Sequence, residues 1–385
     1  ATGDGTRSAR GGGAEAHRQD RAAADGKAAE AAARDVEELR RWHVREVIAR
    51  MGARAEAATV APLPGGWGPE ETRAVRDDSE LDRRIHQDGL EWRRLRAVLG
   101  AWRTDTVAVL CGHTGRGKTA LAVQMAEAAA SFGAPVLYAS MELGCEELVA
   151  RFVAVRANDA HWVSVKRGLY SPAALTRVRE ELIDACPALY LWAPGGAGVS
   201  TEGLARMVRA IVAVHGKAPF VVLDYVQRLA TGDEGNGDSA RRLAVSKLSG
   251  QLRTLSRPGE DGGSWPGAAI LALSSVSRAH YTSLGTVGDL KMAEDIDGVG
   301  KESGEIEYDA PIVLAMASNA PAGGVESSYG RDACVRVVKN REGTTGATVD
   351  FLFLAARGVF LESDVKPAGA AAASSAKPKR GGRRS

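Results

Sequence analysis

Cysteine is scarce and scattered. Cys111, Cys145, Cys186 and Cys334 are the four in the chain, and none stands in a CxxC or Cys/His spacing, which excludes a zinc-type ligand cluster. Their apolar surroundings mark them as reduced packing residues. No stretch of about 18 uninterrupted apolar residues occurs, so no spanning helix is expected. The first residues, rich in Gly, Ala and Arg, lack the apolar segment of a secretory signal, and a cytoplasmic location is expected. A dominant charge is missing as well: 50 Lys and Arg against 48 Asp and Glu leave a net charge of +2. The chain is therefore no polycation that coats nucleic acid indiscriminately, and any nucleic-acid site must be local. Internal repeats are absent. What remains is a chain of 385 residues, 44% of them hydrophobic, which is ample for a buried core.

Residues 1–30 carry almost nothing large and apolar and are expected to be disordered, because they cannot offset the entropy of folding. In 31–60, Val36, Leu39, Trp42, Val47, Ile48 and Met51 recur at helical spacing, which predicts one amphipathic helix from Ala31 to about Arg54 that needs a partner surface. APLPGGWG breaks that helix and opens a linker over 61–80. Helix resumes from Leu81 to Trp102. The main domain, 81–364, alternates short apolar runs with helical stretches, the pattern of a mostly parallel twisted sheet flanked by helices. Eight runs qualify as strands: Val107–Cys111, Pro135–Ala139, Ala188–Trp192, Phe220–Leu223, Ala269–Leu273, Pro311–Ala315, Val335–Val338 and Phe351–Leu354. Residues 365–385 contain no acidic residue and five bases from Lys377 onward, a disordered basic tail.

GHTGRGKT, Gly112 to Thr119, satisfies GxxxxGK[ST] and lies between an apolar run and the helical stretch ALAVQMAEAAA. Such a loop binds a nucleoside triphosphate. Gly112, Gly115 and Gly117 let the backbone, on to Ala120, fold into a nest of amides around the phosphates; Lys118 reaches the outer phosphates and the Thr119 hydroxyl ligates Mg²⁺. A P-loop needs a second carboxylate on a neighbouring strand to hold the metal through water. FVVLDY offers Asp224 for this, although an apolar run also ends in Asp at ordinary turns. Glu142, just past the run ending at Ala139, is either the group that polarises the attacking water or a charge at a helix N-terminus.

These segments, in order from about Thr106 to Leu361, resemble the C-terminal RecA-like motor of the DnaB-type replicative hexameric helicases. VLYASMELGCEELVARFVA resembles the segment with the family's glutamate base, Glu142 here. VVLDYVQRL resembles its Walker B segment at Asp224, Tyr225 and Gln227. RRLAVSKLSGQLRTLS resembles the helix after the first DNA-facing loop, and ALSSVSR the sensor segment ending at Arg278. KESGEIEYDA, Lys301 to Ala310, is the most specific later match. VKNREGTTG resembles the K-x-R hairpin, in which Lys339 and Arg341 would reach the triphosphate of a neighbouring subunit; spacing alone also permits a solvated hairpin with charged tips.

The resemblance implies ATP and Mg²⁺ as cofactors, a homo-hexameric ring, single-stranded or forked DNA as partner, and a primase or loader beside it. Two departures stand out. The sensor segment has Ser275 where the family usually has Gln, and a short hydroxyl cannot span the same gap. The roughly 100 residues before the motor do not resemble the family's helical N-terminal domain, so the chain looks like a divergent, phage- or plasmid-like member.

A ring on one strand needs phosphate contacts rather than base readout. The segment from Arg228 to Arg241 and Arg242 and that from His280 through Lys291 to Lys301 fall where the family's channel loops would be, with Arg278 close by. Asp233, Glu234, Glu294, Asp295 and Asp297 suit ordinary solvated loops equally well. Besides a replicative helicase, a RecA-like plasmid or recombination ATPase fits Lys118 and Asp224. A nucleotide-gated DNA-binding or loader protein that does not unwind fits Ser275 and the unusual N-terminal region.

Overall fold

VAVLCG, VLYAS, LYLW and FVVLD are buried at every position, as strands covered on both faces must be. The computed structural model describes residues 11–57, 92–100, 102–157, 160–195, 199–226, 248–259, 265, 267–275, 286–293, 309–319, 330–341 and 343–363. Nine strands form one sheet in the order β3-β2-β4-β5-β1-β6-β7-β8-β9. They are β1 (Val107–Gly112), β2 (Val136–Ser140), β3 (Leu189–Trp192), β4 (Phe220–Asp224), β5 (Ala269–Ser275), β6 (Ile312–Ser318), β7 (Arg331–Asn340), β8 (Thr348–Leu354) and β9 (Val359–Glu362). From β3 to β6 neighbouring strands are parallel, and from β6 to β9 they are antiparallel. The alternating burial of β7 and β8 follows from a less covered sheet face. Each of the eight predicted runs falls on a strand. β9 went unpredicted because its four residues are short and follow β8 through a tight turn at Gly358, where φ is +71°.

Side chains of successive strand residues point to opposite faces, so the sheet feeds two cores. Ala108 and Leu110 enter one, Val109 and Cys111 the other. The first core is covered by α4 (Lys118–Ser131), α5 (Cys145–Arg156), α6 (Trp162–Lys166) and α7 (Pro172–Ala185). The second is covered by α8 (Thr201–His215), the helical segment 248–256 and α9 (Val287–Met292). Fully buried Glu127 of α4 pairs with Arg156 of α5, which tethers the helix after β1 to the helix after β2. Burial pushes the Glu127 carboxyl up, and the guanidinium opposes that rise. All four cysteines are free thiols.

One expectation for the N-terminal region needs correction. The single helix expected over 31–60 is two, α1 (Gly11–Trp42), which begins within the 1–30 stretch, and α2 (Val44–Ala57). The break has a cause in tertiary structure. His43 leaves the helix to bridge to Tyr190 on the open edge of β3, and its Nε2 lies 2.9 Å from the Pro187 carbonyl. Leu39, Val44 and Val47 are at most 2% exposed, and Arg206 of α8 pairs with Asp35 and Glu38. The partner surface that this helix needs is thus supplied by its own domain. Of the helix expected from Leu81 to Trp102, the described part is α3 (Arg93–Leu99), whose first amides at Arg94 and Leu95 donate to the Glu362 carboxylate. The linker at 61–80 and the tail at 365–385 lie outside the described residues.

Candidate nucleotide site

The P-loop and Asp224 lie at the C-terminal ends of the parallel strands, where open α/β sheets place their ligands. β1 ends in the P-loop, and the loop turns into α4 through Gly115 at φ +76° and Gly117 at φ +102°. Glycine is required twice over at 117. Besides the left-handed φ, a Cβ there would stand 2.8 Å from the Phe353 ring and 2.9 Å from that of Phe360. A Cβ on Gly112 would meet the Met316 carbonyl at 2.9 Å.

The loop is braced from the side. Arg116 donates to the Ser318 carbonyl at 2.9 Å, and the Ser318 hydroxyl donates to the Arg116 carbonyl at 3.1 Å. Arg331 donates to the Gly115 carbonyl at 3.2 Å, its guanidinium 5.0 Å from the Phe353 ring centre. From the sequence Arg116 is a variable-type position of the loop with no role, and Ser318 and Arg331 carry no mark, since β6 and β7 reach the loop only through the sheet order.

Buried Lys118 donates through Nζ to the carbonyls of Gly112 at 2.7 Å and His113 at 3.0 Å. Burial pushes its pKa down, while Asp224, Cys111 and Glu142 oppose the shift. Asp224, 1% exposed at the end of β4, has its carboxyl raised to about 6 by burial; hydrogen bonds from the Tyr138 and Thr119 hydroxyls and the charge of Lys118 resist that rise, and Glu142 adds to it. Lys118, Thr119, Asp224 and Glu142 therefore converge.

Asp224 is not on the strand next to β1, as the sequence reading expected, because β5 runs between β1 and β4. The register sets Ser275 opposite Gly112, so the sensor position stands at the root of the P-loop on the side facing Asp224. Glu142 is exposed on the turn after β2. That turn is shaped by the Met141 amide on the Asp224 carbonyl at 2.7 Å and the Leu143 amide on the Ser140 hydroxyl at 2.8 Å. These residues suit a magnesium-bound triphosphate: a glycine nest, an ammonium already held by carbonyl oxygens of the loop, and a hydroxyl and carboxylate side by side.

Lys339 and Arg341 are elsewhere. Lys339 pairs with Val313, and the Arg341 amide donates to the Pro311 carbonyl at 3.0 Å, whereas Gly112 pairs with Met316. Pro311 and Met316 are roughly 16 Å apart along β6 at about 3.3 Å per residue. The hairpin thus leaves the sheet at the end opposite its own P-loop. Lys291, expected in a DNA-facing loop, sits in α9 with its ammonium 2.6 Å from the Asp350 carboxylate of β8. Arg241, Arg242, Arg278 and Lys301 lie outside the described residues, as do Gln227 and all but the last two residues of KESGEIEYDA. Among the described residues no helix is long and apolar enough to cross a membrane.

The family described as DnaB-like helicase C terminal domain matches residues 90–362. The replicative DNA helicase DnaB of Mycoplasma pneumoniae is 24% identical over 318 residues, covering 77% of this chain and 62% of that protein. The chain therefore spans less than two thirds of that relative's length. A solved structure described as an ATPase domain superposes with a TM-score of 0.57 at 20% identity, covering 78% of this chain and 100% of that one. A DnaB-like replicative helicase, solved to study its interactions with primase, gives 0.55 at 19% identity, covering 88% and 76%. At such identities the likeness to the two structures is one of fold.

Proposed function

Because the chain belongs to the DnaB-like helicase C-terminal domain family, we propose that it is an ATP-driven DNA helicase that works as a homo-hexameric ring on single-stranded DNA. Bound magnesium–ATP supplies the phosphoanhydride to be cleaved and a cation that neutralises its charge. The chain's own groups divide the remaining work. The glycine nest with Ala120 would orient the phosphates, Lys118 would give up its loop carbonyls for phosphate oxygens, and Thr119 and Asp224 would hold the metal. Glu142 polarises the attacking water. Arg341, with Lys339, stabilises charge developing on the transferred group.

The observation that carries this reading is the position of the K-x-R hairpin at the far end of β6 from its own P-loop. A guanidinium there reaches a triphosphate only on another copy, which ties hydrolysis to ring contact. DNA would run along the segments around 228–242 and 278–301, held through phosphates. With Lys291 paired to Asp350, the weight falls on Arg241, Arg242, Arg278 and Lys301. A primase or a loader is the expected protein partner, and the cytoplasm the expected compartment.

The test is ATPase activity with and without single-stranded DNA, on protein whose mass is determined with nucleotide and magnesium present. DNA-stimulated turnover in a hexamer-sized species is expected. Unstimulated turnover in a smaller species favours a second reading, a nucleotide-gated loader that binds DNA without unwinding it. Ser275 beside Gly112 is the observation on its side.

A further inference from the structure

Tyr138 has no part in the mechanism above, yet it touches the metal site. Its side chain is fully buried in β2, its ring edge-on to Phe152 with centroids 6.0 Å apart. Its hydroxyl donates to Oδ2 of Asp224 at 3.0 Å. Strand register brings this about: Ser140 pairs with Asp224 and Tyr138 with Val222, so alternation puts Tyr138 on the same sheet face as the Asp224 carboxyl.

A carboxylate on a short side chain turns easily about its last torsion, which is broad and roughly two-fold. Asp224 is held against that rotation by the Tyr138 and Thr119 hydroxyls. The Met141 amide, next to Glu142, grips the Asp224 carbonyl as well. One strand and its turn thus hold both ends of the residue expected to face magnesium.

We propose that Tyr138 is a positioning residue of the metal site: its hydroxyl fixes the rotation of the Asp224 carboxylate toward Thr119 and couples it to the strand whose following turn carries Glu142. Such oriented partners of a metal-holding carboxylate set how tightly the metal is held. Burying a phenol hydroxyl is tolerable because it has this acceptor.

This inference rests on the nucleotide-site reading above, and the experiment separates the two. A fluorescent, slowly hydrolysed ATP analogue is bound to the full chain, and Mg²⁺ is titrated for the native protein and for Tyr138→Phe, which removes one oxygen and keeps the ring. The half-saturating Mg²⁺ concentration is expected to rise about tenfold, with analogue binding in excess chelator unchanged. An unchanged magnesium midpoint overturns the positioning role. So does an equal loss of binding with and without magnesium, which would mean that the hydroxyl only supports the fold. If the native protein itself shows no magnesium-dependent binding, the nucleotide-site reading falls first.

Discussion

At the C-terminal end of β1 polar groups are matched within the chain: Lys118 to two loop carbonyls, Arg116 to Ser318, Arg331 to Gly115, Asp224 to Tyr138. At the opposite end of the same sheet, β7 runs out through Lys339 to an exposed Arg341 on a hairpin whose described glycines at 343 and 346 sit in bends. The first end demands stereochemistry. Its loop tolerates no Cβ at Gly117, and the rings of Phe353 and Phe360 that forbid it are stacked 4.1 Å apart. The second end demands only that a charged tip be carried out from the sheet. A phosphate cradle must be rigid before its ligand arrives, because aimed donors act without reorganising.

That contrast can be broken at either end. Lys118→Ala should have the largest effect, abolishing analogue binding and turnover together, because the phosphates lose their charged partner; turnover at the native rate would remove the nucleotide site from the P-loop. Arg341→Ala should lower turnover by roughly a thousandfold while leaving analogue binding near native, since the guanidinium acts on developing charge. Mixing Arg341→Ala chains with Glu142→Ala chains sharpens the point. In an equal random mixture, roughly a quarter of the interfaces join an intact Glu142 to an intact Arg341, and activity should return in that proportion. A mixture as inactive as its components would place both groups in one chain's site, against the geometry.

Asp224→Asn has the smallest effect and reads the opposite sign. The Asp224 carboxyl is raised to about 6 from 3.8, so the folded protein holds this proton more tightly than the unfolded chain does. Its stabilising contribution is present below the lower value and lost as pH rises through the upper one, a loss of up to about 3 kcal/mol. Without magnesium, Asp224→Asn should therefore unfold at a higher temperature than the native protein at about pH 8, and at nearly the same temperature near pH 4. Equal midpoints at both would mean that the carboxylate carries no such burden.

How much of this was readable in advance follows from range. Gly115 and Gly117 serve local backbone angles, and Lys118 and Thr119 follow them at fixed spacing, so the loop could be recognised in eight consecutive letters. Asp224 and Glu142 ended short apolar runs and were visible as candidates. Tyr138, by contrast, is an ordinary aromatic in a strand until β2 is laid beside β4. Arg331, more than 200 residues from the loop that it braces, carries no local mark. The break at His43 was equally hidden, because helical spacing continues through it and the competing contact is the edge of β3.

Local pattern was enough for the elements and their chemistry: eight of the nine strands, the phosphate loop, and the acids and bases placed at strand ends. These depend on side-chain period, glycine angles and charge within a few residues. Tertiary structure alone decided the strand order, with β5 between β1 and β4 and Ser275 set against Gly112. It also decided that Tyr138 meets Asp224, that Lys291 is taken by Asp350, and that Arg341 lies at the other end of the sheet from its own P-loop. The physical reason is that strand neighbours are chosen by which apolar faces the helices can cover together, a sum over the whole sheet that no short window of the chain contains.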